Sequence, residues 1–196
     1  MEEHYTRTLG SIVRAMKNVA RVGPCAQDSV VTAVLTLAAL LVVQDATPIR
    51  NFLRIDPNTC TGGQPTMAAL GRLKSDGITT IINLRTPEEY NTAQEEAKAK
   101  ELGLRYFSIP FVYSTPKDEP VTEFLKIVAD PLNRPVFIHC TGGVRVGALW
   151  LIKRVLQDGW TFEKAQEEAQ KVGLLNAPHL TEFAGTYIQK HRGKYR

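Results

Sequence analysis

Residues 136–157 read VFIHCTGGVRVGALWLIKRVLQ, and no other stretch constrains the fold as strongly. Val136-Phe137-Ile138 shows no apolar–polar alternation, so a strand there must be covered on both faces. Two glycines break the run, a helical pattern spans Val146 to Gln157, and Gly159 follows its end. The rest of the chain repeats this alternation. Asn51 to Ile55 reads as a short strand. Thr66 caps a helix to about Asp76, closed by Gly77. ITTIINL, Ile78 to Leu84, is a β-branched strand. Pro87 suits the first turn of a charged helix from Glu88 to Leu102, closed by Gly103. Leu104 to Ile109 is a strand, Pro110 to Pro120 a proline-rich loop, and Val121 to Ala129 helical. Thr161 caps a helix up to Val172, and the last helix runs from about His179 to Lys190. Strands separated by helices imply an α/β fold, a central and mostly parallel sheet flanked by helices. The loop after Val136 to His139 then lies at the carboxyl edge of the sheet, where such folds bind ligands.

Composition bounds the rest. The chain has 196 residues, 43% hydrophobic and 22% charged, as expected of a globular protein with one domain of ordinary size. The net charge of +4 is partly a basic tail, His191 to Arg196, which reads as a solvated end. No interleaved basic and aromatic stripe points to nucleic acid. Cys25, Cys60 and Cys140 form neither a disulfide framework nor a metal-ligand spacing, so no metal and no cofactor is expected. SVVTAVLTLAALLVV at 29–43 is uncharged but shorter than the about 20 residues that span a bilayer. Arg7, Arg14, Lys17 and Arg21 precede it and Ala46 offers a cleavage point, as in an export signal. The long basic region and Asp28 beside the run leave two alternatives, a buried helix of the domain or a short anchor. Residues 1–47 are therefore expected to be a signal peptide or membrane-anchor segment, and 48–196 the catalytic domain. The protein would be exported to the periplasm or beyond, or associated with the membrane through residues 29–43, with a cytoplasmic placement as the remaining case.

Cys140 stands at the amino end of a helix, where the dipole and unpaired N–H groups favour a thiolate. Gly142 and Gly143 let successive N–H groups of Thr141, Gly142, Gly143 and Val144 converge on an anion. Arg145 adds a charged planar fork. The result is a nucleophilic sulfur at the bottom of an anion cup. His139 need not touch the sulfur and can hold the loop through neighbouring backbone. The bland alternative is a core cysteine with Arg145 on the surface. Arg85 ends its strand at the same sheet edge, to bind an anion or to pair with Glu88 or Glu89. Cys60 is either a free cysteine or a disulfide partner that shields Cys140.

His139-Cys140, Gly143, Arg145 and Gly147 resemble the signature loop of the cysteine-dependent tyrosine and dual-specificity phosphatases. Gly63-Gln64-Pro65-Thr66, Ile81 to Arg85 with Glu88 and Glu89, Gly103-Leu104, Ile109-Pro110, and Gly159-Trp160 with Ala165 and Glu168 resemble the small bacterial phosphatase-like domain found attached to beta-lactamase-like hydrolases. The likeness spans about residues 50–175. It implies a phosphatase-like fold and phosphate-ester hydrolysis through a cysteinyl-phosphate, with Arg145 and the loop amides on the phosphate. The loop from Tyr113 to Pro120 would carry the general acid, Asp118 first and Glu119 second.

One departure is countable. The phosphatase signature has five residues between cysteine and arginine, whereas here there are four, Thr141 to Val144. Val146 stands where that arginine would fall, and also replaces the Ser or Thr that often follows the arginine. Four is the loop length of rhodanese-type sulfurtransferases, which carry a persulfide and need no general acid. The substrate is thus expected to be a phosphorylated or a sulfur-donor anion. A module that senses anions or thiols without turnover is the third reading.

Overall fold

The computed structural model describes residues 49–194. The expectations for residues 1–47, including the apolar run 29–43 and Cys25, lie outside the described residues. Strands β1 (Leu53–Asp56), β2 (Thr59–Gly62), β3 (Thr80–Asn83), β4 (Arg105–Ser108) and β5 (Val136–His139) form one sheet in the order β1-β2-β5-β3-β4. β1 folds back antiparallel onto β2, and the β2–β5, β5–β3 and β3–β4 pairings are parallel. β5 is central and all four of its residues are buried, as its unbroken apolar character requires. His139 sits opposite Gly62 on one side and Asn83 on the other.

Successive strand residues point to opposite faces, and they sort into two cores. Cys60, Ile81 and Phe137 pack with Leu70 and Leu73 of α1 (Met67–Ser75) and Ala99 of α2 (Thr92–Glu101). Ile82, Val136, Ile138 and Cys140 pack in a larger core. Its other face is built by α3 (Asp118–Ala129), α4 (Val144–Leu156), α5 (Phe162–Val172) and α6 (Pro178–His191). Each fully buried large apolar side chain contributes about 1.5–3 kcal/mol, so the larger core dominates stability.

The caps follow the sequence. Thr66 accepts the Ala69 N–H at 3.1 Å, and Thr161 accepts the Lys164 N–H at 3.3 Å. Several elements differ from expectation. β2 was not foreseen, because TCTG is short, polar on alternate residues and glycine-ended. The first strand is shifted to Leu53–Asp56. α2 begins at Thr92 and not at Glu88, because the Asn91 side chain accepts the Gln94 N–H at 3.1 Å and sets the cap. α3 begins at Asp118 and not at Val121; Asp118 and Glu119 in its first turn complement the helix dipole. α4 likewise begins two residues early, at Val144, so Arg145 belongs to its first turn.

Candidate active site

Cys140 leaves β5 at the carboxyl edge of the sheet, and Gly143 is the amino cap of α4. The Gly143 N–H donates to Cys140 Sγ at 3.1 Å, so the loop closes an amide onto the sulfur. Gly143 adopts φ +97°, and a Cβ there would stand 2.6 Å from the Val172 carbonyl oxygen. Both facts exclude any other residue. Gly63 braces the loop from the side of β2, where a Cβ would stand 2.8 Å from the Thr141 carbonyl oxygen.

The Arg145 guanidinium turns inward and is 4% exposed. Its Nη1 donates to the carbonyls of Leu84 and Phe111 at 3.4 and 3.2 Å, and its Nη2 donates to Thr141 Oγ1 at 2.9 Å. Glu89 accepts from Nη1 and Nη2 with its two oxygens, at 2.7 and 2.6 Å, a bidentate pair. Burial works against the charged guanidinium, but Glu89 and the nearby Cys140 sulfur more than offset it and hold its pKa above the ordinary value. The same contact with Arg145 holds the Glu89 carboxyl below the usual carboxylate range. Sulfur, amide and guanidinium therefore meet in one place, and Cys140 is 1% exposed.

The structure assigns distinct places to the other expected residues. Thr141 donates to Glu89 at 3.4 Å, and the Gly142 carbonyl accepts from Asn51 Nδ2 at 2.7 Å. Val144 opens α4. Arg85 is bound to Gln64 Oε1 at 3.1 Å and to the Glu89 carbonyl at 2.6 Å, and lies over the Tyr90 ring. It braces Glu89 from behind. His139 points to the smaller core, stacks on Phe137 and has no exposed surface. It supports the loop from the face opposite Cys140 and does not line the cup. Asp118 and Glu119 stand in the first turn of α3 instead of a loop; the Asp118 carboxylate is tied to Lys190 and lies 3.6 Å from His191 Nε2. Lys190 above all holds it below the usual carboxylate range. The carboxylate that meets Arg145 is Glu89. Cys60 and Cys140 are both free, and Cys60 pairs with Phe137, three residues before Cys140, too far along the strand for a disulfide.

Two residues escaped sequence reasoning. Glu89 entered as a partner for Arg85 and within the family resemblance, but not as the partner of Arg145. Glu95 is completely buried behind the loop, 2.7 Å from His139 Nε2 in a close contact that is not an aligned hydrogen bond. Its other oxygen accepts from Gln64 at 2.8 Å and from Asn83 at 3.4 Å. On a helix reading TAQEEAKAKE it resembles its solvated neighbours, and only its place four residues before buried Ala99 marks it.

A mostly parallel sheet with a cysteine, a left-handed glycine and a buried arginine after its central strand is the layout of a cysteine-centred catalytic domain. Residues 37–179 match the family described as DSP-PTPase phosphatase fused to NAD+ kinase, and the chain belongs to that family. A beta-lactamase hydrolase-like protein of Agrobacterium fabrum is 31% identical over 108 residues, 53% of this chain and 25% of that protein. Inositol diphosphatase DSP1 of Oryza sativa subsp. japonica is 32% identical over 137 residues, 66% of this chain and 60% of that protein. The chain thus spans less than two thirds of these relatives. The core catalytic domain of the PP-IP phosphatase SIW14 from S. cerevisiae superposes with TM-score 0.62 at 23% identity, covering 76% of this chain and 95% of that one. TpbA of P. aeruginosa in complex with pTyr gives 0.58 at 20% identity, over 76% and 94%. At these identities both share the fold.

Proposed function

We propose that the protein hydrolyses phosphate esters or anhydrides through a cysteinyl-phosphate on Cys140. The Cys140 thiolate attacks phosphorus, a sulfur–phosphorus bond forms, and the bond to the leaving oxygen breaks. Arg145 and the loop N–H groups hold the equatorial oxygens. Water then attacks phosphorus, releases orthophosphate and returns the thiolate. The observation that carries this reading is the meeting of Cys140 Sγ, the Gly143 N–H at 3.1 Å and the inward Arg145 guanidinium.

Asp118, the acid expected first, and Glu89, the carboxylate that meets Arg145, are both held in the ionised form by neighbouring cations. Neither is poised to protonate a leaving group at neutral pH. Leaving groups that depart without a proton are therefore favoured: an aryl oxide, or the phosphate released from an anhydride. The diphosphatase relative and the neighbour bound to pTyr support that class. Sulfur transfer is the second reading, favoured by the four-residue loop, with Cys140 carrying a persulfide in the same cup.

Assaying the whole chain against an aryl phosphate, an alkyl phosphate, and thiosulfate with cyanide separates the two. Aryl phosphate turnover well above alkyl, abolished by Cys140→Ser, is expected. Turnover of thiosulfate alone replaces hydrolysis by sulfur transfer, and phosphate release that survives Cys140→Ser removes the nucleophile.

A further inference from the structure

The arginines behind the cup have partners: Arg145 pairs with Glu89, and Arg85 with Gln64 and Glu89. Arg50 is different. It is exposed, and its side chain makes no ion pair or hydrogen bond among the described residues. Yet it lies on the catalytic loop. A Cβ on Gly142 would stand 3.8 Å from its Cζ and 3.9 Å from its Nε and Nη1.

Backbone and side-chain contacts on either side of Arg50 hold this placement. The Arg50 carbonyl accepts the Gly63 N–H at 2.7 Å. Asn51, at φ 52°, donates from Nδ2 to the Gly142 carbonyl at 2.7 Å. Phe52 stacks on Phe137 with centroids 6.1 Å apart, and Ile49 packs against the smaller core. Residues 49–52 thus form a strap moored to Gly63, to the Gly142 carbonyl and to the smaller core. Gly142 presents no side chain beneath the guanidinium, which therefore lies against the bare backbone of the loop.

We propose that Arg50 is a specificity-determining residue that holds a second phosphoryl group of a substrate whose first phosphoryl occupies the Cys140 cup. The inference rests on the phosphatase reading for the first group. A free guanidinium offers two parallel N–H donors to a phosphate and sheds water more readily than an ammonium. A cation beside an anion cup, with no carboxylate to neutralise it, adds nothing to a lone phosphate held below but attracts a neighbouring one. The shared chemistry is two phosphoryl groups close together, either in an anhydride or on adjacent carbons of a ring.

Calorimetry on the full chain, wild type and Arg50→Gln, with orthophosphate, inorganic pyrophosphate and inositol hexakisphosphate tests this. The ratio of pyrophosphate or hexakisphosphate affinity to orthophosphate affinity is expected to fall about fivefold or more, the size of one charge-assisted hydrogen bond at a wet rim. Arg50→Lys should recover part of it, since charge without the fork remains. Loss with pyrophosphate alone assigns the anhydride; loss with hexakisphosphate alone assigns the ring. An unchanged ratio, an equal loss for all three anions, or a wild type that binds none of them overturns the assignment. Anion binding without aryl phosphate turnover sinks the phosphatase reading and leaves the Arg50 result standing.

Discussion

Glu89 decides what Arg145 can do. The guanidinium is nearly buried, and its bidentate partner keeps the fork in one orientation while neutralising it. Glu89→Ala leaves that charge unpaired in a desolvated place, and is expected to lower stability by about 1–3 kcal/mol and kcat/KM at least tenfold. Glu89→Gln, which keeps one acceptor oxygen, should fall between. Urea midpoints beside aryl phosphate kinetics check both numbers; a variant as stable and active as wild type removes Glu89 from the site. The pH dependence follows in sign. The folded-state pKa of Glu89 is lowered, so its contribution to stability is complete above the unfolded carboxyl value of about 4.3 and lost as pH falls through the folded one. The acid-side loss of stability should shrink in Glu89→Gln. Glu95 is a second case, because it is buried with His139, Gln64 and Asn83 all facing it. Glu95→Ala removes the buried carboxylate beside His139 and one acceptor each from Gln64 and Asn83, which keep the Pro65 carbonyl and Tyr106 Oη, and should destabilise by roughly 1–3 kcal/mol.

At the scale of elements, the first turn of α3 is fastened to the end of α6 by Asp118 with Lys190 and His191. Asp118→Asn separates a fastening role from an acid role. A fastening carboxylate on this partly exposed pair is worth under about 1 kcal/mol. Its loss should spare aryl phosphate turnover. An acid role would instead lower kcat for the alkyl phosphate far more than for the aryl one, and remove the basic limb of the pH profile. This same turn shows what sequence can and cannot tell. β5, α5 and the Thr66 and Thr161 caps were legible because each rests on local chemistry: an unbroken apolar run, a hydroxyl before a helix, a glycine after it. The Cys140 loop was legible for the same reason. Helix starts at Thr92 and Asp118 were not, since the choice among several adequate caps and acidic first turns is made by tertiary contacts. β2 escaped because its pairing with β5, not its own residues, makes it a strand. Glu95 and Arg50 escaped because burial of a charge and mooring of a strap appear only when distant segments meet.

At the scale of the molecule, the catalytic loop bridges two cores. His139 enters the smaller one with Glu95, and Cys140 enters the larger one with α4. An anion in the cup therefore touches the loop amides between both cores, and its binding energy should appear as stability of the whole domain. Linkage sets the size: an anion at a hundred times its Kd adds about 2.7 kcal/mol if it binds only the folded chain. For a domain of this length that is a rise in Tm of roughly 5–10 °C. Thermal unfolding of the full chain with and without orthovanadate measures it. Arg145→Lys keeps the charge but loses the fork, and should forfeit most of the rise, because a point charge cannot span two oxygens. Gly143→Ala is the sharper variant. It places a Cβ 2.6 Å from the Val172 carbonyl oxygen and forces a positive φ on alanine, so the loop must open away from α5. Its Tm without ligand should drop, and the rise with orthovanadate should vanish even where the fold persists. A rise of normal size in that variant would show that the anion is held somewhere other than the Cys140 loop.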